Sequence, residues 1–126
     1  MRLPLTSGET EVMQVLWEYG KLKPTEIQAR FARPIKNAAL RFQLKILLEK
    51  KHVSRRKVGT AYYYSAITLR QGAFKKMSRR MAKIFCSGSA AGLIAELIKT
   101  ESLSSEEVRD LQQLAAARAS SMKDKK

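Results

Sequence analysis

Cysteine is almost missing: Cys86 stands alone, so no intrachain disulfide framework can form. With one histidine, His52, and no cysteine between Glu101 and Lys126, the chain has too few soft ligands for a thiolate or mixed metal centre. No glycine-rich phosphate loop is present, and the scattered carboxylates sit in no pattern that pairs a nucleophile with a base. Neither a cofactor, nor a metal, nor a catalytic set is expected. The longest apolar run, AAGLIAELI, is broken by Glu96, well short of the roughly 18 to 20 residues that a membrane span requires. The opening MRLPLTSGETEV lacks the apolar core of a secretory signal, so a reducing cytoplasm is the expected compartment and membrane insertion is not expected. Acidic residues are also scarce, 11 against 25 Lys and Arg, for a net charge of +14 and a pI near 10.3. Such a field attracts polyanions, either nucleic acid or an acidic surface.

What is present is enough apolar content, 44% of 126 residues, for one ordinary core with a smaller appended element. Thr6 and Glu9 have capping-box spacing, and Val12, Met13, Leu16 and Trp17 recur at helical intervals up to Gly20, predicting a helix over Ser7 to Tyr19. Trp17 reads as a core residue. Lys23-Pro24-Thr25 opens a short second helix with Ile27 and Phe31 inward, and Pro34 ends it.

The third helix, Ile35 to Lys51, is basic and amphipathic. On a helical wheel Lys36, Leu44, Leu47 and Leu48 gather near Leu40, whereas Ala38, Arg41, Phe42 and Lys45 fall away from it. The second and third helices have helix-turn-helix spacing, although the turn lacks a glycine. His52 marks the junction with an alternating pair, VSRRK and AYYYS, around Val58-Gly59-Thr60, which reads as a hairpin. Val53, Arg55 and Lys57 share one face of its first strand, Ser54 and Arg56 the other, and Tyr62 and Tyr64 share a face of the second.

This is the pattern of a recognition helix beside a winged hairpin. In that geometry Arg41 and Lys45 reach guanine edges or phosphates, Ala38 and Phe42 touch thymine methyls, and Arg55, Arg56 and Lys57 hold the backbone. Thr25, Lys36 and Thr60 are further candidates for phosphate contact. The competing reading of Phe42 is an aromatic buried under a neighbouring helix.

Thr68 and Gln71 form another capping pair, ahead of a stripe of Leu69, Ala73, Met77, Met81 and Ile84 flanked by Phe74 and Phe85; a helix over Leu69 to Phe85 is predicted. Its opposite face carries Arg70, Lys75, Lys76, Arg79, Arg80 and Lys83, either a phosphate-facing surface or an ordinary solvated one. Cys86 reads as a small buried residue. After Ser87-Gly88-Ser89, Leu93, Ile94, Leu97 and Ile98 crowd one side of a fifth helix. Ser104 with Glu107 caps a sixth, where Val108, Leu111, Leu114 and Ala115 form a stripe up to about Ala119. Three such helices carry more apolar stripe than a unit of their size buries alone, so pairing with a second copy through Leu93, Ile94, Leu97, Leu111 and Leu114 is expected. Folding back on the N-terminal half as a monomer is the alternative.

The segments LTSGETEVMQVLWEYG, PTEIQARF, LKILLEKKHVSRRKVGTAYYYSA and FCSGSAAGLIAELIKTESLSSEEVRDLQQL resemble the penicillinase repressor family, which includes the methicillin-resistance and copper-responsive repressors. The resemblance covers nearly the whole chain. Its most specific parts are Leu5-Thr6 with Glu11, Val12, Met13, Leu16 and Trp17, the wing with Gly59 and Tyr64, and Leu103-Ser104 with the acidic helix after it. It implies an N-terminal winged helix-turn-helix and a C-terminal helical arm that makes a homodimer, repressing transcription from a palindromic operator in double-stranded DNA.

The chain departs from that family where bases are read. Members commonly carry Lys-Thr, an aliphatic residue, any residue and Thr where Ala38, Ala39, Leu40, Arg41 and Phe42 stand here, and Thr60 replaces the arginine that usually follows the wing glycine. Copper-responsive members have closely spaced C-terminal cysteines, which this tail lacks. In antibiotic-responsive members an inducing protease cuts an Asn-Phe bond; the matching positions are Glu96-Leu97, so neither release mechanism is expected to transfer unchanged. Proteolysis by a different enzyme stays open.

The expected architecture is therefore mainly α with a small β-hairpin wing. It comprises a winged-helix DNA-binding domain over residues 1–67, a helical dimerisation region over 68–120 and a disordered basic tail over 121–126. A winged-helix module that contacts RNA or a protein partner, and a small enzyme, are the readings that compete with a repressor.

Overall fold

The computed structural model describes residues 3–124. Its elements are α1 (Ser7–Tyr19), α2 (Pro24–Ala29), α3 (Asn37–Glu49), β1 (Val53–Val58), β2 (Ala61–Ala66), α4 (Arg70–Phe85), α5 (Ala90–Thr100) and α6 (Ser105–Asp124). The fold is mostly helical, with one two-stranded antiparallel sheet.

α1 begins at the capping box foreseen in the sequence: Thr6 Oγ1 accepts from the Glu9 amide at 3.2 Å, and Glu9 Oε1 accepts from the Thr6 amide at 3.1 Å. Glu9 does more than cap. Its carboxylate is buried and takes two bonds from Lys50 Nζ, at 2.8 and 3.0 Å, which tie the start of α1 to the end of α3. Burial raises the pKa of this carboxyl, but the Lys50 ammonium and the Thr6 amide outweigh it and leave Glu9 below its ordinary value.

α3 spans Asn37–Glu49, shorter at both ends than the sequence reading. At the front, Lys36 is the exposed N-cap residue instead of a member of the core-side stripe, because its backbone is already extended. At the back, Lys51 adopts φ 65°, with its amide on Leu48 O at 3.1 Å and the His52 amide on Leu47 O at 3.0 Å. These are the two bonds of a Schellman termination, made without the glycine that usually supplies the left-handed residue.

The core lies where α1, α2 and α3 meet beneath the hairpin, with Val12, Met13, Ile27, Leu40, Leu44 and Leu47 fully enclosed. Trp17 is half-buried against that core, and its indole Nε1 donates to Thr68 O at 2.8 Å. β1 and β2 pair from Val53↔Ala66 to Val58↔Ala61, leaving Gly59 and Thr60 as the connection; Gly59 has φ 66°, the left-handed conformation that a two-residue turn demands of it. A third strand-like partner, unforeseen in the sequence, is Leu22. Its amide and carbonyl pair with those of Tyr64 at 3.1 and 2.8 Å, stitching the α1–α2 connection to the hairpin.

The expected Thr68–Gln71 cap is not made. Thr68 Oγ1 instead lies 2.7 Å from His52 Nδ1, while His52 Nε2 meets the Leu3 carbonyl. A carbonyl only accepts, so Nε2 carries a proton and donates to it. His52 is buried and joins the α3 terminus, the start of α4 and the N-terminal segment.

The chain divides into two compact units between Arg80 and Met81, not after residue 67. Ala73 is buried in the first unit's core and Met77 packs against it, which keeps the first part of α4 with the winged helix. In the second unit Ser89 caps α5 through the Gly92 amide at 2.9 Å, and Ser104 and Glu107 form a capping box at the head of α6. α6 continues through Asp124, so residues 121–124 of the expected disordered tail are helical; Lys125 and Lys126 lie outside the described residues.

Two stability measurements follow from these contacts. Glu9→Gln strands the Lys50 ammonium and should cost about 3 kcal/mol at pH 7 in urea denaturation. Because the native pKa is lowered, that contribution is present above the ordinary carboxylate range and disappears as pH falls through the lowered value, so the two proteins should converge in acid. Lys51→Gly should stabilise the fold by about 0.5–1 kcal/mol in the same assay, since glycine adopts the left-handed conformation without steric cost.

Candidate nucleic-acid interface

The rotation of α3 is set by what it buries. Leu40, Leu44 and Leu47 are enclosed, and this turns Ala38, Arg41, Phe42 and Lys45 to the exposed side. Phe42 is 61% exposed, so the alternative of an aromatic buried by a neighbouring helix is not what the structure contains.

The hairpin brings a second set of cations to the same unit. Arg55, Arg56 and Lys57 are all exposed, and the observed pairing Arg55↔Tyr64 and Lys57↔Tyr62 places these two cations on the tyrosine face. There the Arg55 guanidinium lies 4.2 Å from the centre of the Tyr62 ring, and its Nη1 donates a long bond, 3.4 Å, to Tyr64 Oη. The Tyr64 hydroxyl raises the Arg55 pKa further, so this group is a permanent cation with a restrained position. Lys57 Nζ is 5.8 Å from the same Tyr62 ring, near the outer limit for such contact, and keeps its freedom. Arg56 points to the other side of the strand.

Between α2, α3 and the hairpin is an open hollow of about 380 Å³ lined by Lys23, Thr25, Arg41, Arg55, Thr60 and Tyr62, among others. Four of the residues singled out in the sequence, Thr25, Arg41, Arg55 and Thr60, thus share one wall although up to 35 positions separate them. Lys36, at the head of α3, and Arg56 are exposed but do not line it. Two other cations of this unit have partners within it. Arg33 makes a two-pronged pair with Glu11 at 2.8 and 3.0 Å, lowering the Glu11 pKa, and Arg30 stacks on Tyr19 at 4.5 Å.

Sequence reasoning missed Asn37. Its Oδ1 accepts from Arg41 Nε at 2.7 Å, a contact foreshadowed only by the i, i+4 spacing of the two residues. It also missed Tyr62 as the platform of Arg55, a diagonal contact, since the register sets Lys57 opposite Tyr62 and Arg55 opposite Tyr64.

In the second unit, α5 buries none of its residues, and every described side chain of α6 is exposed. Ile94, Leu97, Leu111 and Leu114 are between 44% and 67% exposed, with Leu93 half-buried. Cys86 is also half-buried, more open than the sequence reading had it. Among the described residues no group of three or more His, Cys, Asp or Glu is placed to hold a metal ion, and no single helix is long and apolar enough to cross a membrane.

Two comparisons bear on this geometry. An uncharacterized 16.5 kDa protein in the ptsI 3' region of Latilactobacillus sakei is 23% identical over 123 residues, covering 96% of this chain and 84% of that protein. The penicillinase repressor family matches residues 5–117, from the strap before α1 into α6. A match of that extent takes in both the winged helix and the exposed helical arm, and the chain belongs to the penicillinase repressor family of DNA-binding transcriptional repressors.

Proposed function

We propose that this protein is a homodimeric repressor that reads a palindromic operator in duplex DNA, with α3 in the major groove and the hairpin along the phosphate backbone. The observation that carries this reading is the joint exposure, in one unit, of Ala38, Arg41, Phe42 and Lys45 on α3 and of Arg55, Arg56 and Lys57 beside them. Arg41 and Lys45 read base edges, and Ala38 and Phe42 rest against thymine methyls. Arg55 and Lys57, with Arg56, Lys36, Thr25 and Thr60, take phosphates. The operator differs from those of family members that carry Lys-Thr and a second Thr at the start of this helix.

Dimerisation rests on energetics. Exposed apolar area costs about 25 cal/mol per Å², and α5 and α6 leave several large aliphatic side chains about half exposed. A second copy placed by a two-fold axis covers both arms at once and presents two recognition helices to the two half-sites. No metal or small-molecule cofactor is assigned to DNA binding. Cleavage between Glu96 and Leu97 would separate α6 from the DNA-binding unit, so a protease of specificity different from the Asn-Phe cutters is the partner we assign to induction.

Two variants separate reading from holding. Arg41→Ala should relax discrimination at one base pair, by about 1–3 kcal/mol there. Lys57→Ala should weaken all duplexes alike and reduce the slope of log affinity against log salt by about one unit. Both are measured by fluorescence anisotropy with an operator and its single-base variants; uniform losses from Arg41→Ala would contradict the assignment. For assembly, light scattering should give a dimer at micromolar concentration, and Leu111→Asp should yield monomers that bind the operator at least tenfold more weakly. A wild-type monomer with operator affinity unaffected by Leu111→Asp would remove the dimer from this account.

A further inference from the structure

The recognition arginine is held by a chain of hydrogen bonds that begins outside its own helix. Gln28 Nε2 donates to the Ile35 carbonyl at 2.9 Å, Asn37 Nδ2 donates to Gln28 Oε1 at 3.3 Å, and Arg41 Nε donates to Asn37 Oδ1 at 2.7 Å. A main-chain carbonyl only accepts, so it fixes which end of the Gln28 amide faces it. That leaves Gln28 Oε1 toward Asn37, which in turn sets the Asn37 amide with its oxygen toward Arg41. The direction of the relay is thus dictated from the α2–α3 turn, and the order of donors and acceptors permits no reversal of either amide without losing two bonds.

Arg41 is exposed, and an unrestrained arginine loses rotamer freedom when it binds. Here the stem is already anchored one helical turn from its own origin. Because Nε is occupied, a guanine cannot be met side-on through Nε and Nη2; the two terminal amines remain, and they match the spacing of guanine O6 and N7. We infer that Asn37, supported by Gln28, is a positioning residue that commits Arg41 to end-on recognition of a guanine. The inference rests on α3 being the DNA-reading helix and specifies which base the arginine takes and through which atoms.

The experiment uses the full-length protein and an operator obtained from a random duplex pool, in which the base pair that depends on Arg41 has been located. Affinity is measured for that operator, for the same duplex with the pair changed from G·C to A·T, for the duplex with 7-deazaguanine at that position, and for an unrelated duplex. The wild type should prefer G·C roughly tenfold to a hundredfold and lose most of that preference when N7 is removed. Asn37→Ala should cut the preference about fivefold, leave the unrelated duplex unchanged and add nothing when combined with Arg41→Ala. Asn37→Asp loses the bond to Gln28 but holds Arg41 through a charge-assisted bond from the same side-chain position, so it should retain the preference while its charge weakens all duplexes alike. Gln28→Ala, which reaches Arg41 only through Asn37, should lower the preference in the same direction as Asn37→Ala and serves should the latter fold poorly by thermal melting.

Equal weakening of every duplex by Asn37→Ala would make it a phosphate contact and overturn the inference. A further loss of discrimination on top of Arg41→Ala would make it a base reader and overturn it too. An Arg41 preference for a base other than guanine, or one insensitive to removal of N7, would reject end-on guanine recognition. If Arg41→Ala itself changed all duplexes equally, it would be the reading of α3 that failed.

Discussion

Everything in the first unit depends on the burial of one stripe of α3. Enclosing Leu40, Leu44 and Leu47 fixes the rotation of that helix to within a fraction of a turn, and at 100° per residue the outward residues follow without further choice. Each of these leucines contributes about 1.5–3 kcal/mol by leaving water, far more than any exposed contact of Arg41 or Lys45 is worth in the free protein. The apolar stripe therefore decides which side chains are available to a ligand, and the polar residues are displayed by it at little cost to stability. The Glu9–Lys50 pair and the Schellman bonds at Lys51 then fix where α3 ends and the hairpin begins.

The parts legible in the sequence were those governed by local rules. Helical periodicity gave α1 and the inward face of α3, and the Thr6–Glu9 and Ser104–Glu107 spacings gave two capping boxes that the structure forms. Gly59 marked the turn. What escaped depends on partners distant in the chain. Thr68 has the spacing of a cap, but His52, sixteen residues earlier, claims its hydroxyl; Leu22 has no strand signal of its own and becomes a ladder partner only because Tyr64 lies beside it. The end of α3 was misjudged because a lysine takes the left-handed position that glycine normally advertises. On the candidate site, the outward residues were readable from the wheel, whereas the Gln28–Asn37–Arg41 relay was not, since a relay requires a turn geometry that no periodicity encodes.

The second unit poses the opposite problem. Its helices are well capped and amphipathic, yet their apolar faces remain open, and local propensity alone seldom holds helices of this length in water. The family match runs into this arm, and our proposal gives it the role of assembly. In the proposed reading, one unit contacts DNA and the other sets the number and symmetry of the contacts.

The central claim is that two copies of α3 read two half-sites of a palindrome. It is tested most directly by selecting duplexes bound by the full-length protein from a random pool and sequencing them. The account predicts enriched sequences with two-fold symmetry, half-sites about one helical turn apart and a guanine at the same place in each half. Enrichment of a single asymmetric half-site, or no enrichment above the starting pool, would contradict it.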